Sequence, residues 1–303
     1  STTEEFNVST NVITAAAWSS GGSLNTARDE GASSQNGLQT AALYFAGYTG
    51  SANTGINEQY NGTSWSEQND LGTARFSLGG AGTTAAALAF GGGTSGGGVR
   101  HNETEEYDGS SWSEQNNLGT ARYVLGGCGT QTAALGFGGS DASSKLNQTE
   151  EYDGSSWSEQ NNLSTSRSHF FSGVGIQTAA IAVGGREPAY SNKTEEYDGS
   201  SWTSSGTLIT QGMAGGGAGT ATDAIVFGGS TGPGTPHSVL TQGYDGTSWS
   251  TRPSMATARN YVSGTGTSSA GLAFGGTAPP YTTATEEFTG ETTTANIETF
   301  STS

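Results

Sequence analysis

The fifteen residues Thr104–Leu118, TEEYDGSSWSEQNNL, recur letter for letter at Thr149–Leu163, and their first nine return at Thr194–Trp202. Identity over that length is duplication, and the tryptophans give its period. Trp18, Trp65, Trp112, Trp157, Trp202 and Trp249 are separated by 47, 47, 45, 45 and 47 residues. A unit of this size is one supersecondary element, too small to bury both of its faces alone, so neighbouring copies must supply the core. The period runs without a break, which makes residues 1–303 a single domain, a closed or stacked body with no internal boundary.

Within the copy from Arg122 to Leu163, Tyr123–Gly129 (YVLGGCG) and Ala133–Gly139 (AALGFGG) are short apolar runs that read as buried strands. Thr149–Tyr152 (TEEY) reads as a third strand, with Glu150 and Tyr152 on one face and Thr149 and Glu151 on the other. Asp153-Gly154 supplies a hairpin turn, because glycine takes positive φ without strain and aspartate tolerates it. Ser155–Glu159 is the fourth strand. Four short antiparallel strands per period describe a propeller blade better than a solenoid coil.

A glycine pair followed by a tyrosine and a tryptophan at this period resembles the kelch motif of β-propellers. The pairs are Gly91-Gly92, Gly138-Gly139, Gly184-Gly185, Gly228-Gly229 and Gly275-Gly276, and the aromatics are Tyr60/Trp65, Tyr107/Trp112, Tyr152/Trp157, Tyr197/Trp202 and Tyr244/Trp249. Two departures stand out: Ala46-Gly47 in the first repeat, and Gly212 where the others place Arg28, Arg75, Arg122, Arg167 and Arg259. Inner strand pairs number six, whereas the outer pattern occurs seven times, at Thr3–Trp18 and Thr285–Phe300 as well. The expected architecture is therefore all-β, a six-bladed kelch-type propeller of four-stranded antiparallel blades. Its termini share one blade, an N-terminal strand closing the ring against C-terminal strands and removing exposed sheet edges.

Composition narrows the partners. Fifty Gly and six Pro make about 18% of the chain, below the roughly 25–30% that signals disorder by itself. A net charge of −17 repels phosphate backbones, so neither nucleic acid nor insertion into an anionic membrane is expected. Cys128, the one cysteine, forms no intramolecular disulfide and offers no metal-ligand spacing. No apolar run approaches a membrane span, no signal peptide is evident, and a start at Ser1 fits a processed or trimmed chain.

Alternating strands send the connections between second and third strands to one face and the third-to-fourth turns to the other. Those turns are nearly constant, as in Asn61-Gly62, Asp108-Gly109 and Asp245-Gly246. The opposite loops differ in every blade, and they hold Tyr48, Arg100, His101, Lys145, Arg186, Tyr190, Lys193, His237 and Tyr281. Variable loops on a constant frame are where recognition is expected. The five repeated arginines have two readings. They ring one mouth of the central channel and bind an anion or an acidic sugar, or they make structural ion pairs with a glutamate-rich strand such as Glu105 and Glu106, the more economical reading. The repeated Tyr and Trp read as packing residues before sugar platforms. The glutamate pairs Glu4/Glu5, Glu105/Glu106, Glu150/Glu151, Glu195/Glu196 and Glu286/Glu287 read as carboxylates on a solvated outer strand before a Ca²⁺ site.

Catalysis is not expected. His101, His169 and His237 show no metal-ligand spacing, and no Ser/His/Asp or Cys/His constellation follows from order. Kelch propellers that act as copper oxidases need a Cys–Tyr cofactor, but Cys128 lies among glycines; the sialidase Asp-box separates the Asp and Gly that are adjacent here. An active site needs unlike groups converging, whereas this chain repeats like groups around a ring. No cofactor and no metal are expected. The near-identical units and the tail TATEEFTGETTTANIETFSTS resemble kelch-like repeat proteins encoded by bacteriophages, aquatic ones in particular. The resemblance implies a non-enzymatic virion protein, tail-associated or decorating the surface. Its partners would be other virion proteins, further copies in an assembly, or a host surface glycan or receptor. The competing reading is a bacterial secreted or cell-surface kelch lectin or adaptor.

Overall fold

The computed structural model describes residues 9–95, 98–171 and 173–297. It is an all-β ring of six four-stranded antiparallel blades. From the axis outward, blade 1 comprises Ala32–Ser33, Ala42–Tyr48, Asn53–Tyr60 and Trp65–Gln68, and blade 2 comprises Gly79–Gly82, Ala87–Phe90, Thr104–Tyr107 and Trp112–Gln115. Blade 3 has Gly126–Thr130, Ala133–Phe137, Thr149–Tyr152 and Trp157–Gln160; blade 4 has Val174–Ile176, Ala179–Val183, Thr194–Tyr197 and Trp202–Ser204. Blade 5 has Gly216–Thr220, Asp223–Phe227, Thr241–Tyr244 and Trp249–Arg252. Blade 6 is composite. Ser263–Gly266, Ala270–Phe274 and Thr285–Thr289 come from the C-terminal end, and Ala17–Ser20 from the N-terminal end completes it, Trp18 pairing with Phe288. The N-terminal strand thus closes the ring as expected. Beyond it Ser9–Thr14 and Thr292–Ile297 form a two-stranded ribbon. Glu4, Glu5 and Phe300 lie outside the described residues.

The core lies between blades. Phe90 and Leu88 of blade 2 pack with Ala134, Tyr152 and Trp157 of blade 3, and each junction repeats the arrangement. Phe90 and Trp157 meet with ring centres 4.8 Å apart. The period-two alternation of TEEY turns one face to each neighbour. Thr149 Oγ1 accepts a bond from Trp202 Nε1 of blade 4 at 2.9 Å, and Tyr152 OH donates to Glu106 of blade 2 at 3.0 Å. Verbatim copying has a physical cause in these seams, where a copied Thr, Tyr or Asn of one blade clasps a copied residue of its neighbour. Asn116 Nδ2 likewise reaches Ser155 O of the next blade at 2.7 Å.

The glycine pair has two requirements. Gly138 and Gly139 adopt φ of 59° and 97°, and a Cβ on Gly139 would lie 2.8 Å from Tyr123 O. Their amides bond to the loop and to the next blade, Gly139 N donating to Arg167 O at 2.9 Å. Ala46 takes the first position in blade 1 at φ 61°, with a register irregularity beside it. Two strand starts are corrected: the innermost strand begins at Gly126 rather than Tyr123, and the outermost at Trp157 rather than Ser155, the two serines belonging to the turn. Tyr123 makes a single bridge to Ser140, and Val124 is left-handed at φ 49°.

Candidate functional site

The repeated arginines are not a ligand-facing ring. Arg28, Arg75, Arg122, Arg167 and Arg259 are all 0% exposed, and each binds a glutamate of its own blade: Glu58, Glu105, Glu150, Glu195 and Glu286. The Arg122–Glu150 and Arg259–Glu286 distances are 2.9 and 3.0 Å. A second carboxylate oxygen, Glu150 Oε2, accepts the Gly119 amide at 2.7 Å. These guanidiniums tie the third strand to the connection entering the blade. Blade 5 changes both partners together, Gly212 for arginine and Gln242 for glutamate, and Gln242 exchanges two 3.0 Å bonds with the Thr210 backbone.

The solvated-strand reading of the glutamate pairs is corrected by the same contacts. The first member is buried on the arginine, and the second, as in Glu106, Glu151 and Glu287, accepts a tyrosine OH from the next blade. In the turns, Asp108, Asp153 and Asp198 accept amide and hydroxyl protons from the two following serines, which hold their carboxyls down at about 2.

Two residues beyond each arginine position the chain does something the repeat conceals. Glu30, Ser77, Val124, His169, Ala214 and Tyr261 occupy this place in blades 1 to 6, and all six are left-handed, with φ from 49° to 56°. Five of the six amides reach the preceding blade's carbonyl: Ser77 N to Glu30 O, Val124 N to Ser77 O, His169 N to Val124 O, Ala214 N to His169 O and Tyr261 N to Ala214 O, at 2.6–2.9 Å. The result is a backbone collar around the axis. Non-glycine residues rarely hold this conformation, and here inter-blade bonds over-determine it.

The collar caps a cavity of about 90 Å³, floored by Leu78, Leu125, Phe170, Phe171 and Val262. That volume corresponds to roughly three waters. Six unlike side chains line its rim, so the expectation that only like groups recur around the ring does not hold here. Glu30 accepts a bond from Ser77 Oγ, and burial, reinforced by Asp29, pushes its carboxyl up to about 7. Asp29 is 4% exposed; burial raises it to about 6 against a 2.5 Å bond from Thr277 Oγ1, and its Oδ1 has no partner. Opposite, in blade 4, burial and then the charges of Arg186 and Lys145 press His169 down to about 4, leaving it neutral near pH 7. His169 Nδ1 bonds Ser168 Oγ at 3.0 Å, and its ring lies 6.2 Å from that of Tyr261.

The variable-loop residues surround this collar unequally. Tyr48 contacts Tyr281 and Phe76 with ring centres 6.0 and 6.2 Å apart, Phe76 contacts Tyr123, and Arg100 sits 3.7 Å over Tyr123. This aromatic arc spans blades 6 to 3. On the other side Lys145 Nζ donates to Glu187 O, Tyr190 OH accepts from Ser230 at 3.1 Å, and Arg186 is exposed. Lys193 pairs with Glu187 at 3.0 Å, and His101 with Glu103 at 2.8 Å, so both are engaged within their loop. His237 is half-buried in the blade 5 loop, away from the arc. Among the described residues no three His, Cys, Asp or Glu side chains gather as metal ligands. No protein-family model matches the chain, and no curated protein matches it.

Proposed function

We propose that the chain is a non-catalytic recognition propeller of the kelch type, carried on a virion as a tail-associated or decoration protein. Its ligand is a host glycan or another virion protein, held by the face that bears the collar and the variable loops. The observation that carries this reading is the confinement of variation. Seams, turns and buried pairs repeat almost residue for residue, while the rim positions Glu30 to Tyr261 and the loops around them differ in every blade. A surface that varies on one face of an otherwise constant frame is suited to recognition. The groups at the rim also favour binding over chemistry: Ser168, whose hydroxyl pairs with His169, is 1% exposed, and Ser77, whose hydroxyl bonds Glu30, is 8% exposed, so neither hydroxyl is presented to a ligand as a nucleophile.

Exchanging the variable loops for short Gly/Ser turns tests the assignment. Host-cell or particle binding should fall at least tenfold while the melting temperature holds, and unchanged binding would sink it. Banding of the protein with intact particles in a density gradient, in fixed stoichiometry, supports the virion setting. Banding with the cell envelope instead supports a surface lectin or adaptor.

A further inference from the structure

The charges at the collar are divided. Asp29 and Glu30, in blade 1, are in no ion pair among the described residues, and the Oδ1 of the nearly buried Asp29 has no hydrogen-bond donor. Blade 4 is diametrically opposite in a six-bladed ring, and it brings the neutral imidazole of His169, a hydrogen-bonding group, and the exposed Arg186 cation, which is likewise in no ion pair. Lys145, from blade 3, leans over to a carbonyl of the blade 4 loop and adds to the same pole. Uncompensated charge is unfavourable in a buried or semi-enclosed place, as at Asp29 and Glu30, unless a partner arrives, whereas the solvated Arg186 is free to pair with an incoming anionic group. A simple cation would satisfy the blade 1 side and be repelled by the other; a simple anion has the reverse difficulty. A ligand carrying both charges satisfies both.

We propose that the collar binds a small zwitterion, its ammonium against Glu30 and its carboxylate or phosphate toward His169, Lys145 and Arg186. The Tyr261 ring and the Phe170 and Phe171 floor enclose the aliphatic part between the charges. The cavity of about 90 Å³ limits that part to a few methylenes. The inference sharpens the recognition reading above and rests on it for the choice of face.

The test is titration calorimetry of the full chain at pH 8 with glycine, β-alanine, 4-aminobutanoate and phosphoethanolamine, against propylammonium and butanoate as single-charge halves. At least one zwitterion should bind tenfold or more tighter than either half. Glu30→Gln should weaken it at least tenfold. Ala214→Tyr should abolish it by filling the collar with a side chain that Tyr261 already carries in the same backbone conformation. Arg186→Ala should weaken the zwitterions and leave propylammonium unaffected. Zwitterions binding no tighter than their halves to the folded protein would overturn the proposal, as would full binding in both Glu30→Gln and Ala214→Tyr. The two readings fail separately. Attachment to cells or particles without probe binding sinks the zwitterion alone, and probe binding with attachment indifferent to the loops sinks the wider recognition reading.

Discussion

The junction between blades 1 and 2 should be the weakest in the ring, and two substitutions should repair it. At the junction of blades 2 and 3, Trp157 Nε1 donates to Thr104 Oγ1 at 2.9 Å and Tyr152 OH to Glu106 at 3.0 Å. In blade 1 the equivalent positions hold Asn57 and Gln59, and across that seam Trp112 Nε1 and Tyr107 OH are buried without partners, as is Asn57 Oδ1. A buried donor left unpaired costs about 1–3 kcal/mol, and a made bond returns roughly 1 kcal/mol, more to a carboxylate. The Asn57→Thr/Gln59→Glu double variant forgoes only the long 3.3 Å bond from Asn57 Nδ2 to Asn69 O. The net gain should be about 2–3 kcal/mol, or roughly 4–6 °C in melting temperature for a chain of this size. Thermal and urea unfolding followed by tryptophan emission measures it. The mirror variant Thr104→Asn/Glu106→Gln should lower stability by a similar amount. A midpoint that stays put in both variants would show that these clasps do not hold the seams, and the reasoning from seam to stability would fail.

Other consequences follow from the buried groups. Glu150→Ala leaves the Arg122 charge buried and unpaired and should cost about 3–5 kcal/mol. The Arg122→Gly/Glu150→Gln variant, which copies the blade 5 solution, should cost less than half of that in chemical denaturation. Glu30, raised from 4.5 to about 7, is an acid whose charged form the fold disfavours, so its contribution is fully present below pH 4.5 and is lost as pH rises through 7. Glu30→Gln should therefore stabilise the protein at pH 8 by up to roughly 3 kcal/mol and change little at pH 4; a pH-independent difference in the melting curves would refute this. Gly139→Ala, at φ 97° with a backbone oxygen 2.8 Å from the new Cβ, should destabilise by about 1–3 kcal/mol in the same assay.

The ring was legible because its hardest geometric demands fall on residues that are exchanged in only one or two blades. Gly138-Gly139 need positive φ, Trp157 needs a threonine across the seam, and TEEY must alternate between two neighbours; all three recur as letters. The pairing of the arginines with the glutamate-rich strand was legible from their shared period, but the burial of Glu150 was not, since an alternating outer strand reads as solvated and its partner Arg122 lies 28 residues away. A signal for it does exist in the joint departure of Gly212 and Gln242. The collar was hidden for the opposite reason. Glu30, Ser77, Val124, His169, Ala214 and Tyr261 share a backbone conformation but no side-chain chemistry, and a search for sameness passes over a place defined by difference. Its trace is the constant offset of two from the arginine position.

The collar separates heredity of shape from heredity of specificity. Five amide-to-carbonyl bonds link its six backbones from blade to blade, so the conformation does not depend on which side chain each displays. Residues as unlike as Val124 and Tyr261 already occupy equivalent places with φ of 49° and 50°. A lineage built on this frame can thus sample new rim chemistries one codon at a time, with the fold retained while stability moves by a few kcal/mol at most, and acquire a new ligand without passing through an unfolded ancestor.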